Sequence, residues 1–229
     1  MGMYLYNPCL YPGCKKQAMS SFNERGELAE VPGYCLEHQK DLQEMHGRLR
    51  NYIMRHDKIV VLCAPGLTVT DMDLSGKKFY GCNLQHCTFT NVTATGLRLR
   101  MCMFDFSTIT DCNLIQCNMQ FTSLAGSKLV HALFTGSDFI HNNFNGVTAY
   151  QCSFDDSDLY NTRFIKAVLI NTSMMNCNMK KTVFYGSVRE GVSFKLSNTG
   201  EALFDRDKGG LMGDADTRLD DGLERKKGL

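Results

Sequence analysis

Val69-Thr70-Asp71-Met72-Asp73-Leu74-Ser75-Gly76-Lys77-Lys78-Phe79-Tyr80-Gly81-Cys82-Asn83-Leu84 places an apolar residue at every fifth position. Read onward from Val69, the phase holds through Phe89, Leu99, Phe104 and Ile109 to Phe184. That is 24 positions, all apolar, and only Ala94 and Ala149 are small. In a chain that is 43% hydrophobic, chance placement gives such a run odds on the order of one in a billion. A period of five fits neither the 3.6 of a helix nor the 2.0 of a simple strand. A second phase runs beside the first. Two residues before each centre, 19 of 24 side chains are Ala, Cys, Ser, Thr or Val. Between the two stands mostly a polar residue, as in Cys82-Asn83-Leu84 and Ser157-Asp158-Leu159. Two inward side chains per five residues, one large and one small, suit a chain that turns a corner every five residues. Gly, Asn and Asp two places after the centre (Gly76, Gly96, Asp111, Gly136, Asn161) fit tight turns.

This unit, small–polar–large–x–x, resembles the pentapeptide-repeat family over Leu67 to Gly186, about half of the chain. The resemblance implies an all-β solenoid: a right-handed quadrilateral β-helix with four pentapeptides per coil. The 24 units then make about six coils, roughly 29 Å of tube at ~4.8 Å per coil. Phe194 and Phe204 keep the phase, with Val192 and Ala202 at the small positions, so a degenerate coil is expected over 187–206. Arg189 and Thr199 interrupt its core. In a solenoid each coil buries its face only against the next, so the open ends need covering. Leu42, Met45, Leu49, Tyr52 and Ile53 recur at helical spacing and predict a capping α-helix, followed by a strand over Lys58–Cys63. The expected organisation is a zinc-binding knob over 1–38, the helix over 39–57, the solenoid over 58–206 (regular over 67–186) and a flexible tail over 207–229. That tail has 11 charged residues among 23.

Cys9, Cys14, Cys35 and His38 precede the helix as C-x4-C, twenty residues, then C-x2-H. Thiolate and imidazole are ligands that zinc prefers, and three Cys with one His complete a closed tetrahedral structural site. Pro12-Gly13 supplies the knuckle turn before Cys14. The pattern is similar to the zinc knobs heading some bacterial and phage HNH-nuclease chains. The nuclease core has no counterpart here, so no nuclease activity is implied. Zinc is expected as a structural cofactor, since some 35 residues build too little core to fold unaided.

Eleven cysteines divide under this reading: three join His38, and Cys82, Cys87, Cys102, Cys112, Cys117, Cys152 and Cys177 fall at the small inward position, with Cys63 left over. A disulfide framework is not needed, and a reducing cytoplasm is the expected address. The chain shows no signal peptide and no apolar run long enough to span a membrane.

Coils of 20 residues sort the outward positions onto four walls. Lys78, Tyr80, Arg98 and Arg100 gather on one, a small charged patch that reads as a solvated face or a site for an acidic partner. Another wall opens on Thr68/Thr70, Thr88/Thr90 and Thr108/Thr110, then turns to Val130, Tyr150, Val168 and Ile170. Tyr160 and Tyr185 also point outward over the last coils, and so much apolar surface predicts a cover. The candidates are the 187–229 segment folding back or a second copy of the chain as a homodimer. No nucleophile–base pair and no phosphate loop stands out, so no enzyme is expected.

The reading is a non-enzymatic, protein-binding scaffold with an unknown protein partner. The alternative is a DNA-mimic-type protein that protects or inhibits a type II topoisomerase. Such mimicry needs an acidic rod, and 67–186 hold 8 Asp and no Glu against 9 Lys and Arg, a net of +1. With the whole chain also at +1, nucleic acid is not expected as a partner.

Overall fold

The computed structural model describes residues 7–31 and 33–205. From Lys58 the chain winds into a β-solenoid of about seven turns, each 20 residues and four walls long. Two opposite walls are parallel sheets of three-residue strands. One has five strands, from Lys58–Val60 to Asp138–Ile140, and the other seven, from Thr68–Thr70 to Val188–Glu190. The walls between them are joined through single bridges such as Cys63↔Asn83 and Asp73↔Thr93. Every pairing runs at a step of twenty: Lys78↔Arg98 on one sheet, Thr88↔Thr108 on the other.

The five-residue phase is the core. Phe134, Phe139, Phe144, Phe154 and Phe164 are wholly buried. Phe144, Phe164, Phe184 and Phe204 form one column, with ring centroids 5.0, 5.2 and 5.0 Å apart and planes within 17° of parallel. Each such side chain, taken from water, contributes roughly 1.5–3 kcal/mol against a chain entropy of similar total size. The small inward position has a second duty. Ser107 Oγ donates to the Leu84 carbonyl (3.1 Å) and accepts from the Cys87 amide (3.0 Å). Ser127, Ser137, Ser157 and Ser197 repeat both bonds on their own coils. Cys87, Cys117 and Cys177 make the donor half with Sγ, at 3.3, 3.2 and 3.1 Å. Small hydroxyl and thiol side chains therefore supply hydrogen-bond partners to backbone groups at the corners.

The solenoid is longer than the phase from Val69 indicates. Ile59 and Ala64 already occupy central positions, fully buried, with Leu62 and Leu67 at the small ones. The lead-in strand is only Lys58–Val60, because Val61 is already a corner at φ 57°. At the far end the degenerate coil is present: Val188–Glu190 pairs with Val168–Ile170. Arg189 does not break it. Its side chain lies inward, 4% exposed, with the guanidinium 4.7 Å from the Phe204 ring centroid. Residues 187–205 thus extend the tube and do not fold back over it. The predicted tail over 207–229 lies outside the described residues.

The helix Leu42–Arg55 covers the first coil with Leu49, Tyr52 and Ile53, capped by the Asp41 carboxylate on the Glu44 amide. Leu42 stays exposed and Met45 is only partly buried against the core. Among the described residues no helix is long and apolar enough to cross a membrane.

Candidate functional site

The N-terminal segment folds around its four predicted ligands. The Cys14 amide donates to the Tyr11 carbonyl (3.0 Å), closing a turn with Pro12 and Gly13 at its centre. Gly13 sits at φ 77°, the position where a type II turn calls for glycine. Cys35 leads a single 3₁₀ turn, Leu36–His38, and that turn brings His38 back over Cys35. The four ligand atoms of Cys9, Cys14, Cys35 and His38 all lie within 4.8 Å of one another. His38 Nδ1 is 3.5 Å from Cys9 Sγ and 3.3 Å from Cys35 Sγ, and the Cys14 and Cys35 sulfurs are 3.9 Å apart. A tetrahedron built on standard zinc–ligand bonds has S–S edges of about 3.8 Å and S–N edges of about 3.5 Å. The donor set and its spacing therefore suit a tetrahedral metal, and this cluster can hold one.

Electrostatics at Cys9 agree. Burial acts to raise the Cys9 thiol, but the amides of Cys35 (3.2 Å) and Tyr11 (3.5 Å), with His38 and Cys35, outweigh it and bring its pKa down to about 6. Backbone N–H groups aimed at a sulfur are the usual support of a bound thiolate. At Cys14 the Lys16 amide favours the thiolate, but burial and the neighbouring Cys35 and Cys9 thiols prevail and raise it. The sequence reading missed Tyr11, whose ring stacks on His38 at 3.9 Å and 10° and orients the imidazole. It missed the Lys16–Glu37 ion pair beside the cluster too.

The knob is fastened to the tube. Ser20 exchanges hydrogen bonds with the Cys63 backbone (2.7 and 2.8 Å), and Asn83 Nδ2 donates to Gln17 (2.9 Å). A Cβ on Gly66 would meet the Leu36 methyls at 2.7 Å, so glycine at that corner leaves room for the Leu36 side chain. Arg55 and His56 reach from the helix to Gly26 and Glu27. All eleven cysteines are free thiols. Cys82 and Cys102, one coil apart, face each other inside the tube, and that contact together with burial drives the Cys82 thiol upward.

On the outer walls, Val130, Tyr150 and Ile170 form one column and Val168 stands in the next column of the same wall. Tyr160 is on the opposite wall and Tyr185 on a third, so the structure does not gather these six into one patch. Lys78, Tyr80, Arg98 and Arg100 are adjacent as expected, and Lys58 joins them. Asp155, Asp156 and Asp158 point to a wall, a corner and another wall. Each carboxylate already accepts from the next coil, through Met175, Asn176 and Asn178.

The family model described as pentapeptide repeats matches in 8 copies, over residues 82–120, 117–154 and 152–188. The rod belongs to the pentapeptide-repeat family. No curated protein matches the chain. Among solved structures, trypsin-treated QnrB1, a plasmid-mediated fluoroquinolone resistance protein, is 16% identical, over 62% of this chain and 78% of that one, with a TM-score of 0.40. HetL of Nostoc sp. strain PCC 7120, a pentapeptide repeat protein involved in heterocyst differentiation regulation, is 12% identical over 68% and 94% (TM-score 0.20). A pentapeptide repeat protein of the Arabidopsis thaliana thylakoid lumen is 20% identical over 56% and 61% (TM-score 0.25).

The sequence reading missed the exposed aromatics at the corners of this pentapeptide-repeat rod, although Phe106 and Phe121 stand two places after the centres Phe104 and Met119. Phe106 and Phe121 are 60% and 57% exposed at φ 57° and 53°. Phe106 stacks on His86 (5.3 Å, 13°), and Phe121 on His141 (5.0 Å, 4°). A Cβ on Gly126 would meet the Phe106 ring at 2.7 Å, so glycine there makes room for it.

Proposed function

We propose that this protein is a non-enzymatic scaffold that binds another protein through its rod, with a structural zinc ion in the Cys9, Cys14, Cys35 and His38 knob. The observation that carries the binding role is the pair Phe106 and Phe121. Each is a bulky residue held in the left-handed region and left largely in water. That backbone costs a non-glycine residue about 1–2 kcal/mol, and the apolar ring gains nothing from solvent. Exposed apolar residues in strained positions are what a contact surface uses. Four protein ligands would leave zinc no open position for substrate, so its role is to hold the lid on the first coil. The unpaired thiols accord with a reducing cytoplasm.

Topoisomerase protection by DNA mimicry, the alternative that the family resemblance raises, is disfavoured by the near-neutral rod. The test is capture of partners from the native host with the wild type and with Phe106→Asn/Phe121→Asn, since Asn tolerates the corner backbone. Loss of the same partners from the folded variant supports the reading, and an unchanged set refutes it. Elemental analysis of protein purified without added metal should give one zinc per chain; well under one refutes the metal assignment.

A further inference from the structure

The wall that opens at Lys58 carries a charge order that becomes its own complement when reversed. Its first outward column runs Lys58, Lys78, Arg98, Asn118, Asp138, Asp158, Asn178, each paired in register with the next. Three cations lie on successive rungs at ~4.8 Å, then a neutral residue, then two anions, so like charges crowd together within the chain. None of these side chains is in an ion pair among the described residues. The cations are separated from the carboxylates by two rungs or more, ~10 Å and upward, about the screening length in 0.1 M salt. Asn118 and Asn178 hold the two carboxylates in place, at 2.8 and 3.0 Å.

We propose that two copies of this chain associate face to face through this wall, antiparallel, about a two-fold axis that passes at Asn118. An axis lying in the wall along the strands maps each column onto itself in reverse. Arg98 then meets the partner's Asp138, Lys78 meets the partner's Asp158, and Asn118 meets the partner's Asn118. The second column, Val60, Tyr80, Arg100, Gln120, Ile140, Tyr160, Lys180, reverses without a like-charge contact: Tyr80 lies opposite the partner's Tyr160 and Arg100 opposite the partner's Ile140. A parallel arrangement swaps the columns at each level and sets Arg98 against the partner's Arg100, so the charge order selects the antiparallel one. The inference rests on this order alone and not on the scaffold reading. About seven rungs of ~4.8 Å by a strand width of ~10 Å offer some 340 Å² a side, under half of the ~800 Å² of a standard interface. The dimer is therefore weak, concentration-dependent and sensitive to salt.

Sedimentation of the full chain at about 100 µM should show a dimer at low salt that dissociates by about 0.5 M salt, where screening shortens to a few ångström. Lys78→Glu/Arg98→Glu and Asp138→Lys/Asp158→Lys should each be monomeric alone, since reversal sets like charges opposite one another. Mixed in equal amounts they should restore a heterodimer, because Glu now faces Lys in every altered pair. If either reversal fails to fold by circular dichroism, the neutral variant Lys78→Gln/Arg98→Gln should weaken self-association about tenfold. A wild type that stays monomeric, a dimer indifferent to the variants, or folded partners that do not combine would each overturn the proposal.

Discussion

Truncating Phe154 to alanine tests whether the tube is held together as a stack of neighbouring coils. Phe154 is wholly buried. Its ring touches Phe134 (4.9 Å), Phe139 (5.6 Å), Phe144 (5.7 Å) and Phe164 (5.9 Å), residues from three successive coils. Removing a buried phenylalanine costs about 3–5 kcal/mol in transfer and cavity terms, and four lost aromatic contacts place this site at the upper end. With total stability of about 5–15 kcal/mol, Phe154→Ala should lower the guanidinium midpoint steeply. The chain has no tryptophan, so far-UV circular dichroism is the readout. Phe194→Ala is the control. Its ring has only Phe184 (5.7 Å) and Phe204 (6.2 Å) as aromatic neighbours, near the end of the tube. Because a solenoid couples only adjacent coils, that loss should fray the last coil in an early, shallow step and leave the main transition in place. Equal midpoint losses at the two sites, or less than about 1.5 kcal/mol for Phe154→Ala, would refute a nearest-neighbour stack with its strongest link at mid-tube.

Asn142 occupies a small inward position, accepting from the Thr122 amide (2.8 Å) and donating to the Met119 carbonyl (3.0 Å). Asn142→Ala strands both groups and should cost about 2–4 kcal/mol, while Asn142→Ser, which can make both bonds as Ser157 does, should stay within about 1 kcal/mol; thermal melts of the pair check this. His131 bonds to Asp111 through Nδ1 and to the Gln151 amide oxygen through Nε2, both at 2.9 Å, so the doubly protonated ring satisfies both acceptors. The Asp111 contact, then Gln151, raises its pKa above 6.5. Since the folded value is the higher one, this stabilisation is complete below about pH 6.5 and is lost as pH rises through the folded value. An NMR titration should find the midpoint above that of a free histidine and should see Asp111→Asn lower it.

The core was readable in the sequence and much of the surface was not, for a physical reason. A central residue has one environment, the tube axis, and only a large apolar side chain fills it, so the phase from Val69 to Phe184 is nearly free of noise. The Cys9, Cys14, Cys35 and His38 cluster was legible as well, because metal ligands are few in kind and their spacing is bounded by turn geometry. The first turn was expected within the 58–206 solenoid but outside its regular repeat, because Leu62, like Leu67 after it, is large where the repeat mostly has a small residue. Both can be large because the helix and the knob, through Ile53 and Met19, pack against this end of the core. Arg189 misled for the opposite reason: a charged residue at a central position reads as a break, yet its planar guanidinium can lie over Phe204 as a ring would.

The corners explain why one phase was clear and another blurred. From Val61 to Leu196 every fifth residue has a positive φ, nine of them glycine and nineteen not. Left-handed backbone disfavours most side chains, so glycine, asparagine and aspartate were the expected occupants. The rest are tolerated because the coil repeat sets corner side chains one above another. Asn91 bonds to Asp71 (2.6 Å), His131 to Asp111 and Gln151, Asn161 to His141 (2.6 Å) and Asn176 to Asp156 (2.7 Å), each across twenty residues. A bond to the next coil offsets part of the backbone cost, so a corner's identity depends on a residue twenty places away and not on its sequence neighbours. A local turn signal cannot register that dependence. The same independence from the core leaves the corners and walls free to vary, and there Phe106, Phe121 and the reversed charge column of the Lys58 wall are found. Recognition is therefore expected where the repeat constrains the chain least.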